Sequence, residues 1–285
     1  MLFRSRTTST YLRIGIGLCS LFLSLPASAY DPVNKPPLPA AETPNELKDI
    51  GIQEHLGEVL DPNLEFTTDD GRTVKIGEYF SHPAKPTILS IVYYSCPNLC
   101  NYHLNGMTAA LKQMPWTVGD QFDIVAVSMD HKETPDLAAK KKASYVAEYG
   151  RPQSAKGWHF LVGSEENVKK LTDAIGFKFR WDEKEKQYAH AAAATIVTPG
   201  GKLSRYLYGI EFDPKTVRLS LLEASNGKIG SMVDQLIMFC FHFDPTKNKY
   251  TLYAYNIMKI SGLLMILALA LILVPTWLRE RRKRT

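Results

Sequence analysis

The stretch TILSIVYYSCPNLCNYHLNGM, Thr87 to Met107, decides the fold. Thr87 to Tyr94 is a continuous apolar run, the composition of a strand buried on both faces. A tight cysteine turn, Cys96-Pro97-Asn98-Leu99-Cys100, follows, and Asn98 to Met114 reads as a helix. Outward from this strand–turn–helix unit, Phe122 to Met129 is a second buried strand. Pro135 to Tyr149 is a helix with Lys140-Lys141-Lys142 on its solvent face. Trp158 to Val162 reads as a short strand and Glu165 to Ile175 as a helix. Ala193 to Val197 and Leu203 to Tyr208 flank Pro199-Gly200-Gly201, an antiparallel hairpin. Pro214 to Ala224 is a last helix with proline at its start. Upstream, Leu64 to Ile76 turns at Asp69-Asp70-Gly71-Arg72 and predicts a hairpin. There is no internal repeat.

Two parallel-type strands joined by a helix, then a hairpin and a helix, predict an α/β thioredoxin-like sandwich. An N-terminal hairpin is added to it, and one C-terminal transmembrane helix follows. Of 285 residues, 45% are hydrophobic and 22% charged, which excludes wholesale disorder. The net charge of +5 sits at the ends. Residues 30–258 carry 25 basic against 28 acidic residues, so a basic nucleic-acid footprint is missing where a domain would need it.

Both ends read as membrane signals. Arg4, Arg6 and Arg13 precede an apolar run, Ile14 to Leu25, and the small-residue site Ala27-Ser28-Ala29. Residues 1–29 therefore predict a secretory signal peptide, with an uncleaved anchor as the alternative. Cys19 follows Leu18 rather than a small residue, so it is expected to leave with the signal. Residues 30–49 are a Pro-rich linker, and 50–258 form the exported domain. Residues 259–278 are apolar enough for one membrane-spanning helix, and the basic tail at 279–285 fixes the cytoplasmic side. The expected location is a bacterial inner membrane, with the domain facing the periplasm.

Three cysteines then remain, Cys96, Cys100 and Cys240, too few for a disulfide scaffold. Placing Cys96 near a helix N-terminus favours its thiolate. Two cysteines four apart in a regular helix have Cβ atoms roughly 5–6 Å apart. A disulfide needs about 3.8 Å. The spacing therefore leans toward two thiolates bracketing one metal ion, and a disulfide stays open if Cys96 lies on the loop. Histidines at 55, 82, 103, 131, 159, 190 and 242 are the candidates for a third ligand. His190 stands in the loop before AAATIV. His103 follows Cys96 and Cys100 at i, i+4, i+7, with a solvated or core-edge histidine as its plainer reading. Two thiolates and an imidazole suit copper, Cu(I) or Cu(II). Cys240 and His242 would share a strand face. The plain reading is a buried cysteine beside aromatics, and the alternative is a second copper contact. Asp130 is either an acid behind the site or a loop cap.

YYSCPNLCNYHLNGM, Tyr93 to Met107, resembles the copper-site segment of the Sco/SenC family. IVAVSMDHKETPDLAAKKKASY, Ile124 to Tyr145, is similar to the family's second-strand segment, with His131 where proline is usual. WHFLVGSEENVKKLTDAIGF, Trp158 to Phe177, is similar to the segment after it. The resemblance covers about Ile50 to Ile260. It implies a thioredoxin-like fold, with Cys96, Cys100 and His190 as copper ligands. Ala189 and Ala191 flank His190 where the family commonly has Asp, and Ser or Thr, which removes an acid behind the histidine.

The resemblance also implies a partner, the copper-centre subunit of cytochrome c oxidase. One reading is a metallochaperone that delivers copper to that centre during assembly. The other is an enzyme, a thiol–disulfide oxidoreductase in which Cys96 and Cys100 are catalytic and reduce the oxidase's copper-ligand cysteines. A membrane sensor ranks below both, because the seven-residue tail predicts no cytoplasmic domain.

Overall fold

The structure, a computed structural model, describes residues 50–81, 85–96, 99–226, 241–244, 247, 249–252 and 254–282. The signal-peptide and linker readings at 1–49 lie outside the described residues, as do His82, Pro97 and Cys240.

The hairpin read between residues 64 and 76 is β2 (Glu65–Thr68) and β3 (Thr73–Lys75), paired antiparallel. The deciding strand is β4 (Thr87–Val92), and all six of its residues are buried. It leads to helix α1 (Leu99–Lys112) and strand β5 (Asp123–Ser128). Helix α2 (Pro135–Tyr149) then crosses to β6 (Trp158–Val162). Both crossovers join parallel neighbours, β4 to β5 and β5 to β6. Two right-handed crossovers running in the same direction put α1 and α2 on one face, and the two helices pack together. After helix α3 (Glu165–Ala174) come β9 (Ala193–Val197), β10 (Leu203–Tyr208) and helix α4 (Pro214–Ala224). The sheet order is β10-β9-β4-β5-β6-β2-β3. The N-terminal hairpin therefore extends a thioredoxin-like core at its β6 edge, where Thr67 pairs with Val162.

Local chemistry sets the helix ends. Thr134, Ser164 and Asp213 each accept a hydrogen bond from a backbone N–H three residues on, at 3.4, 3.2 and 2.9 Å. Pro135 and Pro214 stand just inside their helices. Gly150 takes φ 74° after α2, the left-handed geometry that a helix terminus requires.

A second sheet departs from the sequence reading. Strands β1 (Gly51–Ile52), β7 (Phe177–Asp182) and β8 (Gln187–His190) form it in the order β1-β7-β8. His190, expected in a loop, is the last residue of β8. The period-two pattern Phe177, Phe179, Trp181 carries a strand signal. The turn between β7 and β8 has neither glycine nor proline to mark it. Instead, Asp182 accepts from the Lys184 and Glu185 N–H groups at 2.8 and 3.1 Å, and Lys186 adopts φ 50°.

The lysine run is a second correction. Lys140 is exposed, but Lys141 and Lys142 are half-buried. Lys142 pairs with Asp69 at 2.9 Å and Lys141 reaches Asn101.

Beyond α4, β11 (Phe241–Asp244) and β12 (Lys249–Leu252) form a hairpin, and helix α5 (Ala254–Arg282) follows. His242 lies on β11, opposite Thr251. Met258–Pro275 in α5 has a mean hydropathy of 2.3 and none of it is buried, so it is long and apolar enough to cross a membrane.

Candidate metal centre

Cys96 ends the loop after β4, Cys100 lies in the first turn of α1, and His190 closes β8. Three separate elements bring them together. Cys96 is 3% exposed and Cys100 1%. Neither is in a disulfide. The Cys100 N–H donates to Cys96 Sγ at 3.4 Å, so the first sulfur does meet an amide at the helix start. The Tyr93 N–H donates to Cys100 Sγ at 3.4 Å. A hydrogen bond with Cys96 and then burial push the Cys100 thiol well up, so Cys100 rests protonated.

His190 Nε2 lies 3.2 Å from Cys100 Sγ. Its Nδ1 lies 2.8 Å from the Ala191 carbonyl, which can only accept. Nδ1 therefore carries the proton, and Nε2 turns a bare lone pair to the sulfurs. The acid missing at position 189 is thus replaced by a backbone carbonyl, which fixes the same tautomer. Burial lowers the His190 pKa below the usual imidazole value. The Phe177 and Tyr93 rings flank the imidazole, with centroids at 6.0 and 6.1 Å.

His103 is not part of this cluster. It is 2% exposed, with Nε2 at 3.2 Å from Ser90 Oγ and Nδ1 at 3.0 Å from the Gly209 carbonyl. Both nitrogens are in use and burial lowers its pKa to about 4. It is a core histidine that ties α1 to β4 and to the loop after β10. Gly106, one turn on, makes that contact close, since a Cβ there would stand 1.7 Å from the Ile210 carbonyl oxygen. His55 contacts the Ala174 carbonyl, His159 lies against Tyr79, and His131 is exposed.

Asp130 accepts from the Lys132 N–H at 3.0 Å, which caps its loop. It also stands near Tyr188, whose phenol is pushed up to about 12 by burial and by this carboxylate. Tyr188 packs edge-on against Tyr93. The acid that grips the cysteine loop directly is Glu133, which the sequence reading missed. It accepts from the Tyr94 and Ser95 N–H groups, both at 2.7 Å. Its position just before Thr134-Pro135, in the loop after β5, was the available signal.

The SCO1/SenC profile matches residues 53–223. The chain belongs to the SCO1/SenC family.

The fold is shared with a solved structure. A putative electron transfer protein from Aquifex aeolicus VF5 superposes with a TM-score of 0.53 at 21% identity, covering 59% of this chain and 94% of that one. Arabidopsis thaliana ScoI, solved with copper bound, gives 0.44 at 21% identity, covering 64% and 98%. Yeast Sco1, also solved with copper bound, gives 0.44 at 16% identity, covering 64% and 93%. The chain matches no curated protein. Among the described residues, no three or more His, Cys, Asp or Glu side chains stand as a preformed metal cage. The cluster at Cys96, Cys100 and His190 is instead joined by hydrogen bonds.

Proposed function

We propose that this chain is a copper chaperone. Cys96, Cys100 and His190 take up one copper ion as cargo and pass it to the copper-centre subunit of cytochrome c oxidase during assembly. The observation that carries this reading is His190 Nε2 against the Cys100 sulfur at 3.2 Å, with its tautomer fixed by Ala191. Two sulfurs and one imidazole nitrogen, with no carboxylate among them, form a soft donor set that selects Cu(I) over hard cations. Membership of the SCO1/SenC family supports the oxidase as destination. Helix α5 anchors the domain to the inner membrane, with the domain on the periplasmic side.

Anaerobic titration with Cu(I), with thiols counted before and after, tests the reading. One tightly held ion per chain is expected. Cys96→Ala and Cys100→Ala should each abolish it. Full tight binding retained in both single variants would sink the assignment.

The contact between the two thiols also favours a second reading, a thiol–disulfide reductase that prepares the oxidase cysteines. His190→Ala separates the two. Copper retention is lost in that variant if the chain is a chaperone, while dithiol exchange survives in either case.

A further inference from the structure

The backbone that carries Cys96 is held from two sides. Glu133, in the loop between β5 and α2, accepts four hydrogen bonds. They come from the Tyr94 N–H, the Ser95 N–H and the Ser95 hydroxyl at 2.7 Å each, and from the Ser128 hydroxyl at 2.6 Å. A carboxylate offers about four lone-pair positions, so Glu133 is saturated. On the other side, Asn101 Nδ2 donates to the Cys96 carbonyl at 2.7 Å. Asn101 Oδ1 in turn accepts from Lys141 Nζ on α2 at 2.8 Å. Cys100 is held differently, by its place in α1 and by the Tyr93 N–H. The position of the Cys96 sulfur therefore answers to the loop before α2 through Glu133 and to α1 through Asn101, and that of Cys100 to α1 and Tyr93.

We propose that Glu133 is a positioning residue that keeps Cys96 in its dithiol place and opposes closure onto Cys100. This deepens the metal reading of the thiol pair and rests on it. Closing a disulfide requires the Cβ atoms to reach about 3.8 Å. Both thiols are free in the structure and Cys100 is fixed in α1, so closure falls to Cys96 on its loop, which has to move. Moving it strips charge-assisted hydrogen bonds from a carboxylate that has no replacement donors in the clamp. Glutamine is no substitute, because its amide would turn an NH2 toward one of these N–H donors.

The balanced test reaction is closure by glutathione disulfide. The two protein S–H bonds and the glutathione S–S bond break. One protein S–S bond and two glutathione thiols form, and two electrons and two protons pass to glutathione.

The experiment uses the full chain in detergent, metal-free, in anaerobic glutathione buffers. Alkylation mapped to Cys96 and Cys100 by mass spectrometry reads the equilibrium. In Glu133→Gln the constant for disulfide formation should rise about tenfold, a potential lower by about 30 mV. Amide exchange at Tyr94 and Ser95 should speed up. Glu133→Asp should fall between wild type and Glu133→Gln. Asn101→Ala, which releases the Cys96 carbonyl and leaves Glu133 in place, should also raise the constant. A folded Glu133→Gln variant with an unchanged or lower constant overturns the proposal. Should that variant not fold, Glu133→Asp decides, and a wild-type constant there overturns the proposal. No copper is present, so failure of the chaperone reading shows in the copper titration and failure of the clamp shows here.

Discussion

His103 and His190 show how one residue type takes two roles through its partners. Each has Nδ1 committed to a carbonyl, but Nε2 faces a hydroxyl in one and a cysteine sulfur in the other. His103→Leu would leave the Gly209 carbonyl and the Ser90 hydroxyl without that partner. Unfolding in urea should show a loss of about 2–3 kcal/mol, with copper stoichiometry unchanged. Burial also depresses the pKa of both His103 and His159 to about 4. The unfolded chain takes up these protons near pH 6.5 and the folded chain does not, so the neutral-histidine contribution is full above 6.5 and declines as pH falls toward 4. Between pH 7 and 5.5, each histidine should cost about 1 kcal/mol of stability. The measurement is urea unfolding at the two pH values, and His159→Phe should remove its share of the slope.

Among the elements, α1 carries the most constraint, since it holds Cys100 at its start and His103 and Gly106 in its body. Its approach to the loop after β10 depends on Gly106 lacking a side chain. Alanine is the better helix former by about 1 kcal/mol. The new Cβ would nevertheless overlap the Ile210 carbonyl, at 1.7 Å. The net effect of Gly106→Ala is predicted as destabilisation of about 2–3 kcal/mol, read by thermal unfolding. Stabilisation would mean that the loop yields freely. At α4, Asp213 accepts from both the N–H and the hydroxyl of Thr216, at 2.9 and 2.7 Å. Asp213→Ala should cost about 1 kcal/mol and leave the thiol pair unaffected.

For the whole molecule, the question is where the domain stands relative to the membrane. None of Met258–Pro275 is buried, so its apolar surface needs a lipid environment or a partner. Arg279, Arg281, Arg282, Lys283 and Arg284 follow it, and in the proposed orientation the positive-inside rule puts them on the cytoplasmic side. Protease added to intact spheroplasts should digest the domain and spare only the anchor. A protected domain would reverse the orientation.

Much of the architecture was legible in the chain itself. The β4 run, the capped starts of α2 and α4 and the β9–β10 hairpin each carry a local signal, whether apolar continuity, a proline after a capping side chain or a Gly-Gly turn. These features act within a few residues, so sequence alone determined them, and with them the thioredoxin-like order. The cysteine pair was legible for the same reason, being five residues long. Local sequence did not say which histidine joins it. Spacing left His103 and His190 both open, and the family resemblance alone named His190, 90 positions away from Cys100. The choice depended on the β7–β8 hairpin, whose turn carries no glycine or proline, and on Ser90 and Gly209 occupying both nitrogens of His103. Glu133 was hidden in the same way, because its four donors come from two different strand ends. Sequence determined the elements and the thiols. Only the tertiary structure decided which distant side chains would face them, because hydrogen-bond partners are assigned by the packing of separate elements rather than by spacing along the chain.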